Sequence, residues 1–133
     1  MGITIDSNFI IHLLRSDPAA LAKAKQIDDS GQAKFLSTPV LYEISAGLIF
    51  TGSRTEASAF RALASRFGSL PFDEAAAVRA AEIRAELLRL GRAKSHVDIM
   101  IAGIALEGSH ALVTRDRDFE EIAETLGLNV ETY

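Results

Sequence analysis

The sequence predicts an α/β chain, a parallel sheet covered by helices. Three observations carry that reading. Short apolar runs alternate with longer stretches whose apolar residues recur at helical spacing. No two strand candidates are joined by a tight hairpin turn, so the strands run parallel and the helices cross between them. No repeat, linker or low-complexity segment divides the 133 residues, which suits a single domain over 1–133.

The elements follow in order. Ile3 to Ile5 form a short strand, and Asp6 or Ser7 caps a helix through Arg15. Asp17-Pro18 is an N-cap and first-turn pair that opens a helix to about Asp29, ended by Gly31. Lys34 to Leu36 are a brief strand. Thr38-Pro39 opens a helix through Phe50. Ser53 with Glu56 is a capping box for a helix carrying Ala57, Phe60, Ala64 and Phe67 on one face. "SLPF" at 69–72 is a short strand or extended link. Asp73 caps a long helix with the stripe Ala76, Ala80, Ile83, Leu87 and Leu90, and Gly91 is its C′ residue. Ser95 begins a helix through Glu107, residues 111–113 are a strand, a helix spans about Asp118 to Leu126, and "LNVET" is the last strand.

Composition narrows the function. Hydrophobic residues at 48% and charged residues at 24% describe a globular chain able to bury a core. The lack of cysteine removes disulfides, thiolate nucleophiles and every cysteine-based zinc or iron–sulfur site. It suits a reducing cytoplasm, the expected location. No basic segment followed by an apolar one suggests a signal peptide. The apolar run "IMIAGIAL" at 99–106 is too short to span a bilayer, so no membrane role is expected. The net charge of −4 does not announce a nucleic-acid binder, although a local basic patch is compatible with it.

Four carboxylates stand in unusual places. Asp6 directly follows the first strand, where parallel sheets bind ligands, and also suits a helix cap. Glu43 is the only charge between Lys34 and Arg54, on a helix reading "PVLYEISAGLIF". There it is either solvated or held by a partner, since burying it unpaired is costly. Asp98 in "SHVDIMIAGIAL" completes a Ser95-x-x-Asp98 capping box, and a cap leaves an oxygen for a ligand. Asp116 repeats the logic of Asp6 after the strand ending "LVT". Asp118, with Glu121 three residues on, is the expected N-cap. If these acids converge, repulsion raises their pKa values unless a cation neutralises them. An all-oxygen donor set selects a hard ion, Mg²⁺ or Mn²⁺.

The segments "IDSNFII", "STPVLYEISAGL", "GRAKSHVDIMIAGIAL" and "LVTRDRDFEEI" resemble, in order and spacing, the four acid motifs of the PIN-domain family of metal-dependent ribonucleases. The compact size resembles the VapC toxins of toxin–antitoxin pairs. The resemblance implies a three-layer α/β/α fold with about five parallel strands in the order 3-2-1-4-5. It implies a metal-dependent endoribonuclease, the toxin of a type II pair, leaving 5′-phosphate and 3′-hydroxyl ends. Asp6, Glu43, Asp98 and Asp116 would be catalytic and hold one or two Mg²⁺ or Mn²⁺ ions, with Asp118 a further candidate ligand. Ser7, Asn8 and Thr114 would orient the ligands or water. A VapB-like antitoxin is the implied protein partner, and a homodimer is expected.

RNA approaching an acidic pocket needs flanking positive charge, which Arg89, Arg92, Lys94, Arg115 and Arg117 offer, and His96, near the pocket, is a further RNA-binding candidate. The first three also suit a helix C-terminus. His12, His96 and His110 allow metal-free acid–base cleavage as a lesser reading. Two further alternatives are a non-catalytic PIN-like scaffold that binds RNA or protein, and a phosphoacceptor receiver domain. The receiver class carries a lysine at the end of a late strand, where this chain reads "VTRDRD".

Overall fold

The structure, a computed structural model, describes residues 2–133. Five strands, β1 (Ile3–Ile5), β2 (Lys34–Ser37), β3 (Gly68–Leu70), β4 (Ala111–Val113) and β5 (Val130–Glu131), pair in parallel in the order β3-β2-β1-β4-β5. The expected sheet order is the observed one. The helices are α1 (Ser7–Leu14), α2 (Pro18–Ser30), α3 (Thr38–Thr51), α4 (Arg54–Ala64), α5 (Glu74–Arg89), α6 (His96–Glu107) and α7 (Arg117–Leu126). The strand order steps outward from β1 to β3, then returns across the sheet to β4. Right-handed crossovers therefore put the helices before β3 on one face and those after it on the other. The packing agrees: α1 touches α2 and α4, while α5, α6 and α7 pack on one another.

The central strands β1 and β4 are buried at every residue, as strands covered on both faces must be. Ile3, Ile5, Leu112 and Val113 meet Phe9 and Ile10 of α1 and Ile101 and Ala102 of α6 in one core cluster. Helices α5 and α6 approach closely at Gly103, where a Cβ would lie 2.9 Å from the Ala80 Cβ. That contact explains a glycine in the middle of an otherwise apolar helix.

Some local expectations shift. Leu90 is not on the buried stripe of α5. It follows the last helical residue and is 51% exposed, because Gly91 turns the chain at φ +67°. Phe67 lies beyond α4, which ends at Ala64, yet still packs on the core from the turn. The third strand is Gly68–Leu70 rather than "SLPF", since Pro71 has no N–H for the ladder. The cap of α7 is Asp116, not Asp118: the Asp116 carboxylate accepts from the Asp118 N–H at 2.9 Å.

Candidate metal centre

The order reversal puts the carboxyl ends of β1 and β4 side by side, with Ile5 opposite Val113. Asp6 and Asp116 leave those ends. Asp6 is 2% exposed and caps α1, accepting from the Phe9 N–H at 2.8 Å. Its other oxygen accepts from the Thr114 hydroxyl at 2.5 Å. The same Thr114 oxygen accepts the Asp116 N–H at 3.0 Å. One buried threonine thus fixes both strand-end acids. Burial pushes the Asp6 carboxyl above the usual range. The Thr114 and Phe9 bonds oppose that rise, and Asp116 and Glu43 add to it.

Glu43 is exposed, yet not merely solvated. The Ser7 hydroxyl at the start of α1 donates to its Oε1 at 2.5 Å and ties α3 to the strand end. Asp98 is half-buried on the first turn of α6 and is pushed up to about 6, chiefly by burial. Ser95 lowers it, while Asp116, Glu43 and Asp118 raise it. The cap bond at this helix runs from the Asp98 N–H to the Ser95 hydroxyl. The Asp98 carboxylate is therefore not what caps α6. Carboxylate oxygens of Asp98, Asp116 and Asp118 all lie within 4.8 Å of one another.

That spacing suits a hard cation, whose oxygen ligands stand at most about 5 Å apart around one ion. The donors are all oxygen, and no ion pair reaches Asp6, Glu43, Asp98 or Asp116 among the described residues. Two of these carboxyls are held above their normal pKa with no protein cation to relieve them. The residues present therefore fit a divalent ion.

The flanking groups divide. Lys94 turns inward to Asp118 at 3.3 Å and to Glu121. Arg89 pairs with Glu86 on its own helix at 3.1 Å, and Arg92 reaches the Thr125 hydroxyl at 3.4 Å. His96 and Arg117 are exposed, as is Asn8, and none of the three makes a side-chain hydrogen bond among the described residues. Arg115 is the cation with the most organised surroundings. Its guanidinium lies 4.8 Å over the Tyr133 ring, 3.5 Å from Asp17 and 3.2 Å from the His12 Nε2. Arginine only donates, so His12 Nε2 accepts. Its Nδ1–H then donates to the Tyr133 hydroxyl at 2.5 Å. Burial, then Arg115, lowers the His12 pKa and keeps this neutral tautomer. Burial and nearby Asp6 push Tyr133 up to about 12. Nothing local in the chain marks Tyr133, which stands 121 residues from His12. His110 lies away from the acids, buried against Phe35 at 5.0 Å between ring centroids.

The chain is similar to known proteins over most of its length. The family model for the PIN domain matches residues 3–125. The chain is 29% identical over 135 residues to the tRNA(fMet)-specific endonuclease VapC of Shigella flexneri, covering 97% of this chain and 96% of that one. Among solved structures it resembles DNA-bound VapBC from Salmonella typhimurium, with a TM-score of 0.81 and 26% identity over 99% of this chain and 98% of that one. It also resembles VapBC2 from Rickettsia felis bound to a promoter DNA fragment, with a TM-score of 0.86 and 20% identity over the same shares of the two chains.

Proposed function

The chain belongs to the PIN domain family, and from that premise we propose that it is a divalent-metal-dependent endoribonuclease, the toxin of a type II toxin–antitoxin pair. The observation that carries this reading is the set of acids Asp6, Glu43, Asp98 and Asp116, which make no ion pair among the described residues although burial raises two of them. RNA as substrate class rests on the likeness to the Shigella flexneri endonuclease.

Asp6, Glu43, Asp98 and Asp116 would hold Mg²⁺ or Mn²⁺. When bound, such an ion lowers the pKa of water and offsets charge on phosphoryl oxygens. The chain's own groups do the positioning. Thr114 orients Asp6 and the Asp116 backbone, and Ser7 orients Glu43. Arg115, held by Tyr133, His12 and Asp17, presents a fixed guanidinium to a backbone phosphate. Arg117, Arg92 and Arg89 extend positive charge along the RNA path, and exposed His96 offers a ring to it. Water adds to phosphorus as the 3′ oxygen leaves, giving a 5′-phosphate and a 3′-hydroxyl.

A groove of about 340 Å³ between α1, α3 and α4 runs from Thr55 and Ala59 past Ile11, Leu14, Ile44 and Leu48 to Glu43. An antitoxin segment lying there would bring a basic side chain to the carboxylates. Tyr42, Ile49 and Phe50 of α3, 66%, 81% and 91% exposed, form an apolar stripe suited to a homodimer. No helix among the described residues is long and apolar enough to cross a membrane.

RNA cleavage is expected to require Mg²⁺ or Mn²⁺, to stop with excess EDTA, and to leave ends that accept a 5′-phosphate-dependent ligase. Undiminished cleavage in EDTA, or a 2′,3′-cyclic phosphate product, would overturn the metal reading and favour the histidines.

A further inference from the structure

We propose that Lys94 is a built-in cation of the acidic pocket: its ammonium engages Asp118 and withholds that carboxylate from a second divalent ion, so the site takes one divalent ion. The proposal rests on the divalent-metal reading above.

Lys94 lies in the segment between Gly91 and the Ser95 cap of α6, four residues before Asp98. Its side chain is only 10% exposed. The ammonium sits 3.3 Å from the Asp118 Oδ1 and also contacts the Glu121 Oε2. Asp118 and Glu121 are three apart on α7, so one helix face presents both carboxylates to it. Asp118 is at the same time within the oxygen cluster it forms with Asp98 and Asp116. Lys94 therefore touches the acidic cluster through Asp118.

Of the five pocket acids Asp6, Glu43, Asp98, Asp116 and Asp118, only Asp118 has an ion-pair partner among the described residues. The distribution is selective: one acid is ion-paired, through an ammonium it shares with Glu121, and four are left open. A divalent ion seated on Asp118 would face the ammonium across a shared carboxylate, and two cations at that separation repel. Lysine is a compact charge that a nearby carboxylate holds firmly, and the Glu121 contact anchors Lys94. A cation needed only to meet RNA would not be buried behind two acids.

The test is a Mn²⁺ titration of the metal-stripped full chain, followed by electron paramagnetic resonance, beside a thermal melt. Wild type is expected to bind one Mn²⁺. Lys94→Met keeps the apolar stem but removes the charge, and should bind two. Lys94→Arg and Glu121→Gln should bind one, because each leaves a cation at Asp118. A purely structural clip would change the melt in these variants without changing the stoichiometry. Two ions on wild type, or one on a folded Lys94→Met, would overturn the proposal. Should Lys94→Met fail to fold, Asp118→Asn decides. Affinity for the single ion should stay within about threefold if Asp118 serves Lys94, and a loss of about tenfold or more would make Asp118 a ligand and overturn the proposal. No Mn²⁺ on wild type would instead overturn the metal reading itself, and the Lys94 role with it.

Discussion

Asp98→Asn is expected to lower Mg²⁺-dependent RNA cleavage by on the order of 100-fold or more, while making the metal-free chain more stable. The two effects have one cause. The half-buried Asp98 carboxyl is raised from 3.8 to about 6 by burial and by its acidic neighbours, so its ionised form is unfavourable in the fold. Asparagine keeps the shape and removes the charge. The α6 cap is untouched, since its bond is made by the Asp98 N–H and the Ser95 hydroxyl. At pH 7 the variant should gain about 1–2 kcal/mol, a figure reduced from the full shift because solvent reaches this carboxyl. The sign follows from proton binding. Between about pH 4 and 6 the folded chain holds a proton that the unfolded chain has released. Wild-type stability relative to the variant therefore falls as pH rises through that window. Below it the difference closes, and above it the difference is constant. Paired melts across pH with a cleavage assay check this. Full activity, or a variant less stable than wild type at pH 7, would contradict it.

Phe9→Ala should do the reverse, costing stability and sparing the site. Phe9 is 1% exposed, joins the core from α1 and meets the Tyr133 ring at 4.9 Å. It also borders a cavity of about 220 Å³ between α1, α2 and α4, so truncation enlarges a space already there. The loss should be about 3–5 kcal/mol, a large part of a typical domain's stability. The Asp6 cap persists because its donor is the Phe9 backbone N–H. Urea titration should show the lower midpoint, and Mn²⁺ affinity in the absence of urea should stay within about threefold of wild type. A stability loss below about 1 kcal/mol would mean that α1 repacks freely.

What the sequence made legible was local. Asp6 stood out because a strand, a carboxylate and a helix are consecutive, and the structure keeps that sequence of events. The order of the strands came with the resemblance to a family rather than from any strand's own residues. The move of the α7 cap from Asp118 to Asp116 has a physical reason. Both are aspartates beside a helix start, and cap preference cannot rank them. The Thr114 oxygen decides by holding the Asp116 N–H, so the helix begins one residue earlier than expected. Lys94 stood beside Arg92 in the sequence and read as a cation for RNA. Its partners Asp118 and Glu121 lie 24 and 27 residues on, and only the fold brings them in. From its apolar helix alone Glu43 is either solvated or held by a partner. It is exposed but tied to Ser7 across 36 residues, a state that depends on where α1 and α3 meet. Leu90 shows the limit of periodicity, which does not say where a helix stops.

The central claim is that the acids leaving β1 and β4, with those of α3 and α6, hold a divalent ion. Anomalous scattering from crystals grown with Mn²⁺ tests it most directly. The account predicts a Mn²⁺ peak within ligand distance of Asp6, Asp98 and Asp116, on the side of the pocket that Glu43 faces and away from Lys94. A peak confined to exposed acids elsewhere, or none in crystals saturated with Mn²⁺, would contradict it.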